Sequence, residues 1–244
     1  MIKNISNLGD AALYCDFGKE VNRETNTQVI RYFKSIQKEN IVSINNLSPS
    51  YNKLIISFDL KKTNFKDLKK LIENLNITNE DDLENKKIEV PVCCDENFAL
   101  DIVRLENKLN LKREKIYENF FSKEFFCYMT GFIAGMPFLG DLSEKMRAKR
   151  LETPRVKVPK GSVALTEQFA NIYTFESPGG WNVIGNSPLT IFDSSKETNP
   201  NLINPGDIVL FFRLSSLVIL RFSIIFFKSL KFVFFKSKEI INLL

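Results

Sequence analysis

The spacing of apolar and polar positions divides the N-terminal third of the chain into short strands and amphipathic helices. Residues 11–17 read as a strand. Residues 22–38 read as a helix with Val29, Phe33 and Ile36 on one face. Strands follow at 41–47, where Val42 and Ile44 alternate, and at 54–58, where Leu54, Ile56 and Phe58 alternate beyond the turn residues Ser48-Pro49-Ser50. Residues 64–75 predict a helix whose buried stripe is Phe65, Leu68, Ile72 and Leu75. Asn64 serves as its N-cap, and Asp67 sits in the first turn against the helix dipole. A polar, charged loop at 79–87 leads to a strand marked by Ile88, Val90 and Val92. The resulting β-α-β-β-α-β order is that of a ferredoxin-like split unit.

Beyond Cys94 the pattern changes. Asp95 is placed to cap a helix carrying Phe98, Ile102, Leu105 and Leu109, and Asn110 to cap a second at 111–120. A continuous apolar strand covers 124–132. Short β runs then alternate with Pro137, Pro154, Pro159, Pro178, Pro188 and Pro205, as in 162–165 and 189–192. This texture predicts a compact all-β barrel or sandwich. The expected class is α+β, with units at 1–92 and 93–212 and an atypical tail at 213–244.

That tail changes how the charge of the chain is read. Six of the 34 Lys and Arg residues lie in 208–244, with only one of the 29 acids and eight of the 22 phenylalanines. The formal charge of +5 therefore belongs to the tail, and the neutral remainder gives no support to nucleic-acid binding. Three readings of the tail stay open: a membrane-associating segment, additional buried strands, or translation out of frame. Residues 208–227 are long enough to cross a bilayer, but Arg213 and Arg221 count against spanning.

The 244 residues contain no histidine. That excludes Ser-His-Asp and Cys-His catalysis, His-ligated zinc and imidazole acid–base steps. The cysteines at 15, 93, 94 and 127 form no C-x-x-C pair, and the start of the chain lacks the apolar core of a signal peptide. Reduced thiols in a cytoplasmic protein are expected.

Three segments carry the candidate chemistry. Gly131–Leu142 holds glycines and a proline in a tight loop whose amides can face an anionic or carbonyl oxygen, or which simply turns a corner between strands. Gly135 and Gly140 have the spacing of half a phosphate loop, but Asp141-Leu142 stand where Lys-Ser/Thr are needed. Residues 151–165 place Arg155 on a proline-directed backbone, with the fork geometry that grips a carboxylate or phosphate. Pro178-Gly179-Gly180 is a tight turn that delivers Trp181, the single tryptophan, either to a core or to the wall of a small-ligand pocket. Glu124 and Glu176 border apolar strands and are expected at the surface. Cys127 is expected as a buried, inert thiol.

Taken in order, these segments resemble the family that contains the kinase inhibitor KipI, subunit 1 of allophanate hydrolase and the B-type subunit of the bacterial 5-oxoprolinase, a carboxyltransferase C/D-type domain. The resemblance lies in Gly131-Phe132-Ile133-Ala134-Gly135-Met136-Pro137-Phe138-Leu139-Gly140, Thr153-Pro154-Arg155, Val158-Pro159-Lys160-Gly161-Ser162-Val163, Ser177-Pro178-Gly179-Gly180-Trp181-Asn182-Val183-Ile184-Gly185 and Pro205-Gly206-Asp207. It covers residues 5–212. The chain departs from the family pattern at Phe120 and Asn186, which stand where members carry His, at Ala134 for the first loop Pro, and near Asn171 for a Gly. The resemblance implies a ferredoxin-like unit followed by a cyclophilin-like β-barrel. It also implies membership of a hydrolase that uses ATP to open 5-oxo-L-proline to L-glutamate, with a homologous C-type barrel protein and an A-type component as partners in a hetero-oligomer. It further implies a pocket lined by Gly135, Pro137, Arg155, Gly179, Gly180 and Trp181, with Arg155 holding an anionic group. No nucleotide motif occurs in this chain, so the ATP would be handled by the complex. The alternatives are a KipI-like inhibitor of a sensor histidine kinase, or an inactive pseudo-subunit.

Overall fold

The computed structural model describes residues 1–77 and 85–214. The readings made for the 79–87 loop and for the tail beyond Leu214 fall largely outside those residues.

An antiparallel four-stranded sheet forms from β1 (Asn4–Asn7), β2 (Ala12–Asp16), β3 (Ile44–Pro49) and β4 (Lys53–Phe58), in the order β1-β2-β4-β3. Helices α1 (Arg23–Lys38) and α2 (Phe65–Glu73) belong to the same unit. Leu13, Cys15, Leu54, Ile56 and Phe58 alternate inward from the strands and meet Val29, Ile36, Leu68 and Ile72 from the helices. Both helix starts follow the sequence. The Asn22 side chain accepts from the Thr25 amide, and Asn64 accepts from Asp67.

The sixth element of the expected β-α-β-β-α-β order goes elsewhere. Residues 87–93 form β5, which pairs with β13 and β12 in the barrel, and the edge beside β2 is filled instead by β1. The NISN sequence of Asn4–Asn7 has a single apolar residue and so carries no strand pattern of its own. Ile88, Val90 and Val92 are compatible with either partner, so their alternation could not say which sheet they join.

The barrel closes in the order β10-β7-β6-β13-β5-β12-β9. Its strands are β5 (Lys87–Cys93), β6 (Glu124–Thr130), β7 (Pro137–Gly140), β9 (Ser162–Thr166), β10 (Phe169–Ile172), β12 (Asn182–Asn186) and β13 (Ile208–Leu214). β13 runs parallel to β5; the other barrel pairings are antiparallel. β8 (Arg155–Val158) and β11 (Ser177–Gly179) form a separate two-stranded ribbon. Helices α3 (Ile102–Leu109) and α4 (Arg113–Phe121) pack onto the barrel core through Ile102, Leu105, Ile116 and Phe120.

Several boundaries differ from the sequence reading, each for a local reason. Asn110 adopts a left-handed φ of 51° and ends α3 instead of starting α4. Asp95 lies ahead of a turn, and α3 begins after Asp101. β6 stops at Thr130 because Phe132 turns to a φ of +69°. Residues 189–192 contribute only a bridge from Phe192 to Asn201. Among the described residues no helix is long and apolar enough to cross a membrane.

The two units meet on a polar hook and an aromatic stack. The Asn26 amide lies 2.9 Å from the Ser50 and Tyr51 carbonyls and 3.1 Å from the Tyr128 carbonyl, so α1 holds both the β3–β4 turn and β6. Tyr51 packs against Phe169 at 4.8 Å, Phe138 at 6.0 Å and Tyr128 at 6.2 Å between ring centroids.

Candidate functional site

The registers place one row of side chains across five barrel strands: Met129, Phe138, Asn171, Ala164 and Val183. Their sequence neighbours Leu139, Ala170, Ile172, Leu165 and Ile184 belong to the barrel core. By strand alternation the row therefore lies on the outer face. Tyr173, Val158 and Met136 bury this face together with Ala164 and Val183, and Ile133 and Trp181 pack against them. The β8–β11 ribbon and the loop 131–136 contribute to this cover, and both belong to the glycine-rich segments of the sequence.

Each predicted site residue has a definite place here. Gly135 has φ +67°, and a Cβ on it would stand 2.5 Å from Phe192 and 2.7 Å from Asn201, so it is a close-approach corner. The loop is tied down where the Thr174 hydroxyl donates to the Ala134 carbonyl at 2.7 Å. Pro137 is buried at the start of β7. Gly179 pairs with Arg155 across the ribbon, and a Cβ on it would collide with the Tyr173 hydroxyl. Gly180 lies against Arg150, whose guanidinium nitrogens would be 3.2 Å from an added Cβ. The Trp181 ring meets Phe138 edge-to-face at 5.5 Å. Gly179, Gly180 and Trp181 thus lie at one turn against the outer face, Pro137 falls one strand position before the outward Phe138, and Gly135 props the loop from the side.

Arg155 has a different occupation from the one its sequence suggests. Its Nη1 and Nη2 donate to the two oxygens of Asp101 at 2.9 and 2.7 Å. Asp101 is buried, and its carboxylate also accepts the Val183 amide at 2.8 Å. The fork expected to grip a ligand anion therefore fastens α3 to the ribbon and to β12. Arg155 is thereby held beside Gly179, its partner across the ribbon. Asp101 was unreadable as its partner because 54 residues separate the two.

Arg150 is the exposed cation at the same turn. It lies beside Gly180 and Pro154, is in electrostatic reach of Tyr173, and has no ion-pair partner among the described residues. Burial raises the Tyr173 phenol above its usual range, and interactions with the Asn171 side chain and then the Trp181 backbone partly offset that rise. Sequence reasoning passed over Arg150 because it lies in a charged run, KMRAKR, that reads as a solvated surface.

Other titratable groups take structural roles. Glu124 and Glu176 are exposed and pair with Lys87 and Lys157, each at 2.9 Å. Cys127 is a buried free thiol whose pKa burial pushes up, leaving it protonated and unreactive. The half-phosphate-loop spacing does not fit a triphosphate. Gly140 ends strand β7, and the following Asp141 carboxylate accepts the Tyr128 hydroxyl at 2.7 Å. Among the described residues no three His, Cys, Asp or Glu side chains group as metal ligands.

Comparisons with known proteins agree with this architecture. The family model described as carboxyltransferase domain, subdomain C and D, matches residues 3–203. A Bacillus subtilis (strain 168) protein named as the B-type subunit of 5-oxoprolinase is 30% identical over 223 residues, which cover 86% of this chain and 92% of that one. The crystal structure of TTHA0988 superposes with a TM-score of 0.77 at 27% identity, over 85% of this chain. This chain spans 40% of that longer one. The Kluyveromyces lactis urea carboxylase shares the fold, with a TM-score of 0.70 at 19% identity over 89% of this chain and 22% of its own.

Proposed function

This chain belongs to the family of the carboxyltransferase domain, subdomains C and D, and from that premise we propose that it is the B-type subunit of an ATP-dependent 5-oxoprolinase complex. The observation that carries the reading is the likeness to relatives named as the same 5-oxoprolinase component in Bacillus subtilis, Haemophilus influenzae and Escherichia coli O157:H7, at 29–34% identity. We read the four-stranded unit as ferredoxin-like and the barrel as cyclophilin-like, in a cytoplasmic assembly with a homologous C-type barrel protein and an A-type component.

The chemistry explains why several polypeptides share the work. A lactam is a poor electrophile, and ATP supplies the activation of its oxygen before water opens the ring to glutamate. The segment 135–140 is a strand-ending turn and not a phosphate loop, and we assign nucleotide handling to the partners. The contribution of this chain is to bind and orient the substrate on the outer barrel face. Arg150, exposed at the Gly179-Gly180 turn, takes the substrate carboxylate, and Arg155 with Asp101 holds that turn in place.

Co-expression with the two partner proteins and an assay of ATP-dependent glutamate release from 5-oxo-L-proline test this reading. Activity is expected to require this chain. Arg150→Ala is expected to raise KM about ten-fold or more, the loss of one charged hydrogen-bonding contact, with little change in stability. An Arg150→Ala complex with unaltered KM removes that residue from the site. Full activity without this chain overturns its assignment to the complex.

A further inference from the structure

A cationic cleft lies away from the glycine turn, at the joint between the two units. Its volume is about 250 Å³, and it is lined by Arg23, Thr27 and Arg31 from α1 and by Asn85, Phe126 and Gly206 from the barrel side. Residues 23, 27 and 31 stand four apart and so share one face of the helix. The Arg23 guanidinium lies over the Phe126 ring at 4.9 Å, a contact that sets the cation against β6 and leaves its N–H donors available. Among the described residues Arg23 enters no ion pair. The Thr27 hydroxyl already donates to the Arg23 carbonyl at 2.8 Å, so Thr27 is wall and not donor. Gly206 closes the far side. It has a φ of +98°, and a Cβ on it would stand 3.4 Å from the Asn85 oxygen and 3.7 Å from Ile30. The neighbouring Asp207 is buried and turns its carboxylate to the Asn204 and Lys86 amides. Lys34 and Lys86 lie within electrostatic reach of that carboxylate and add to the positive field at the joint.

We propose that this cleft binds a phosphate-class oxyanion, held between Arg23 and Arg31 of α1 and Asn85 of the barrel side. Size sets the first limit. At about 250 Å³ the cleft falls below the roughly 300–1,000 Å³ of pockets that enclose drug-sized ligands, so it suits one phosphate group with its waters and not a whole nucleotide. Shape sets the second. A carboxylate offers its lone pairs in one plane and is matched by a single guanidinium fork. A tetrahedral anion accepts from several directions at once, which donors on opposite walls require, and each fork matches two of its oxygens. The ligand is either free phosphate or the terminal phosphoryl group of a larger molecule that extends out of the cleft. Its binding adds a link between α1 and the barrel beside the Asn26 hook, and stabilises the joined units by mass action. Nothing in this site depends on the 5-oxoprolinase reading.

The full-length chain is titrated with inorganic phosphate, ADP and succinate at constant ionic strength. Calorimetry reads the affinity, and the Arg Nε–Hε resonances of the 15N-labelled chain read the place. Phosphate is expected to saturate one site with a Kd of about 1 mM or tighter, to shift the Arg23 and Arg31 resonances, and to raise the melting temperature as its concentration rises. Succinate, a dianion with planar carboxylates, is expected to bind about ten-fold or more weakly. ADP that binds more tightly than phosphate identifies a phosphoryl ester as the ligand; ADP that binds more weakly identifies the free ion. Arg23→Gln and Arg31→Lys are each expected to weaken phosphate binding about ten-fold or more, the second although the charge is kept. Asn85→Ala, at an exposed position that no fold contact depends on, is expected to weaken it about three-fold or more. Lys157→Gln removes a charge from the distant ribbon and is expected to leave the affinity within about two-fold. Phosphate that does not saturate, succinate that binds as well, or Arg23, Arg31 and Asn85 variants that match the parent overturn the proposal. Glu80, Asp81, Asp82 and Glu84 precede Asn85 in the sequence, so a chain with these four changed to Gln and Asn is titrated beside the parent. Binding by that chain alone also overturns the proposal, because the acidic run and not a free anion is then the partner of the cleft.

Discussion

At the scale of single residues, the glycine turn is set by what it touches. Gly179 faces the Tyr173 hydroxyl at a separation that leaves no room for a methyl group. Gly179→Ala is expected to cost about 1–3 kcal/mol, the usual penalty of overpacking a tight contact. In a Tyr173→Phe background part of that loss should return, because the hydroxyl is the nearest atom in the clash. Urea unfolding of the two single variants and the double variant measures the coupling, and strictly additive losses would rule out this contact as the cause. The sequence marked Gly179, Gly180 and Trp181 as a deliberate turn because Pro-Gly-Gly is rare outside one. It could not name Tyr173 as the wall behind the turn, nor Asp101 as the holder of Arg155. Those contacts join segments that are far apart along the chain, and their residue types carry no spacing signal.

At the scale of elements, the joint before β13 rests on a buried carboxylate. Asp207 accepts the Asn204 amide at 2.8 Å and the Lys86 amide at 3.2 Å, tying the turn ahead of β13 to the start of β5. Burial raises its pKa above the ordinary carboxylate value, against smaller lowering effects from those two amides and from Lys86 and Lys34. A carboxyl whose folded pKa is raised binds its proton more tightly when folded. Its contribution is fully present below the unfolded pKa and is lost as pH rises through the folded one. The parent chain is therefore expected to lose stability relative to Asp207→Asn as pH climbs from about 4 towards neutrality. Denaturant midpoints across that range check it, and parallel pH profiles for the two proteins would rule Asp207 out. Element types were mostly readable: α1, α2, β2, β4 and the barrel strand β6 follow from periodicity and caps. Pairing was less so. Strand β5 left the expected N-terminal sheet for the barrel, and the nearly apolar-free β1 took the vacant edge.

At the scale of the whole molecule, Asn26 and Tyr51 hold the helical-sheet unit to the barrel. The Asn26 amide reaches three carbonyls from two separate segments, beside Ile30, which packs with Phe126, Tyr128 and Ile208, and Arg23, which lies over the Phe126 ring. Asn26→Ala is expected to cost about 1–3 kcal/mol by stranding those acceptors and to loosen the coupling between the units. Thermal unfolding followed by far-UV circular dichroism and by Trp181 fluorescence should then separate into two midpoints, and coincident midpoints would show that the remaining contacts between the units suffice without Asn26. What the sequence by itself determined was local: the helix caps, the alternating strands, the glycine and proline turns, and the absence of any imidazole chemistry. Each of these depends on residues within one turn or one strand of each other, where backbone geometry ties residue type to conformation. What only the tertiary structure decided was the identity of partners: which sheet β5 joins, that Arg155 is committed to Asp101, and that Arg150 is exposed at the glycine turn. These depend on register and packing between distant segments, and a buried polar atom reveals whether it is satisfied only once its neighbours are in place.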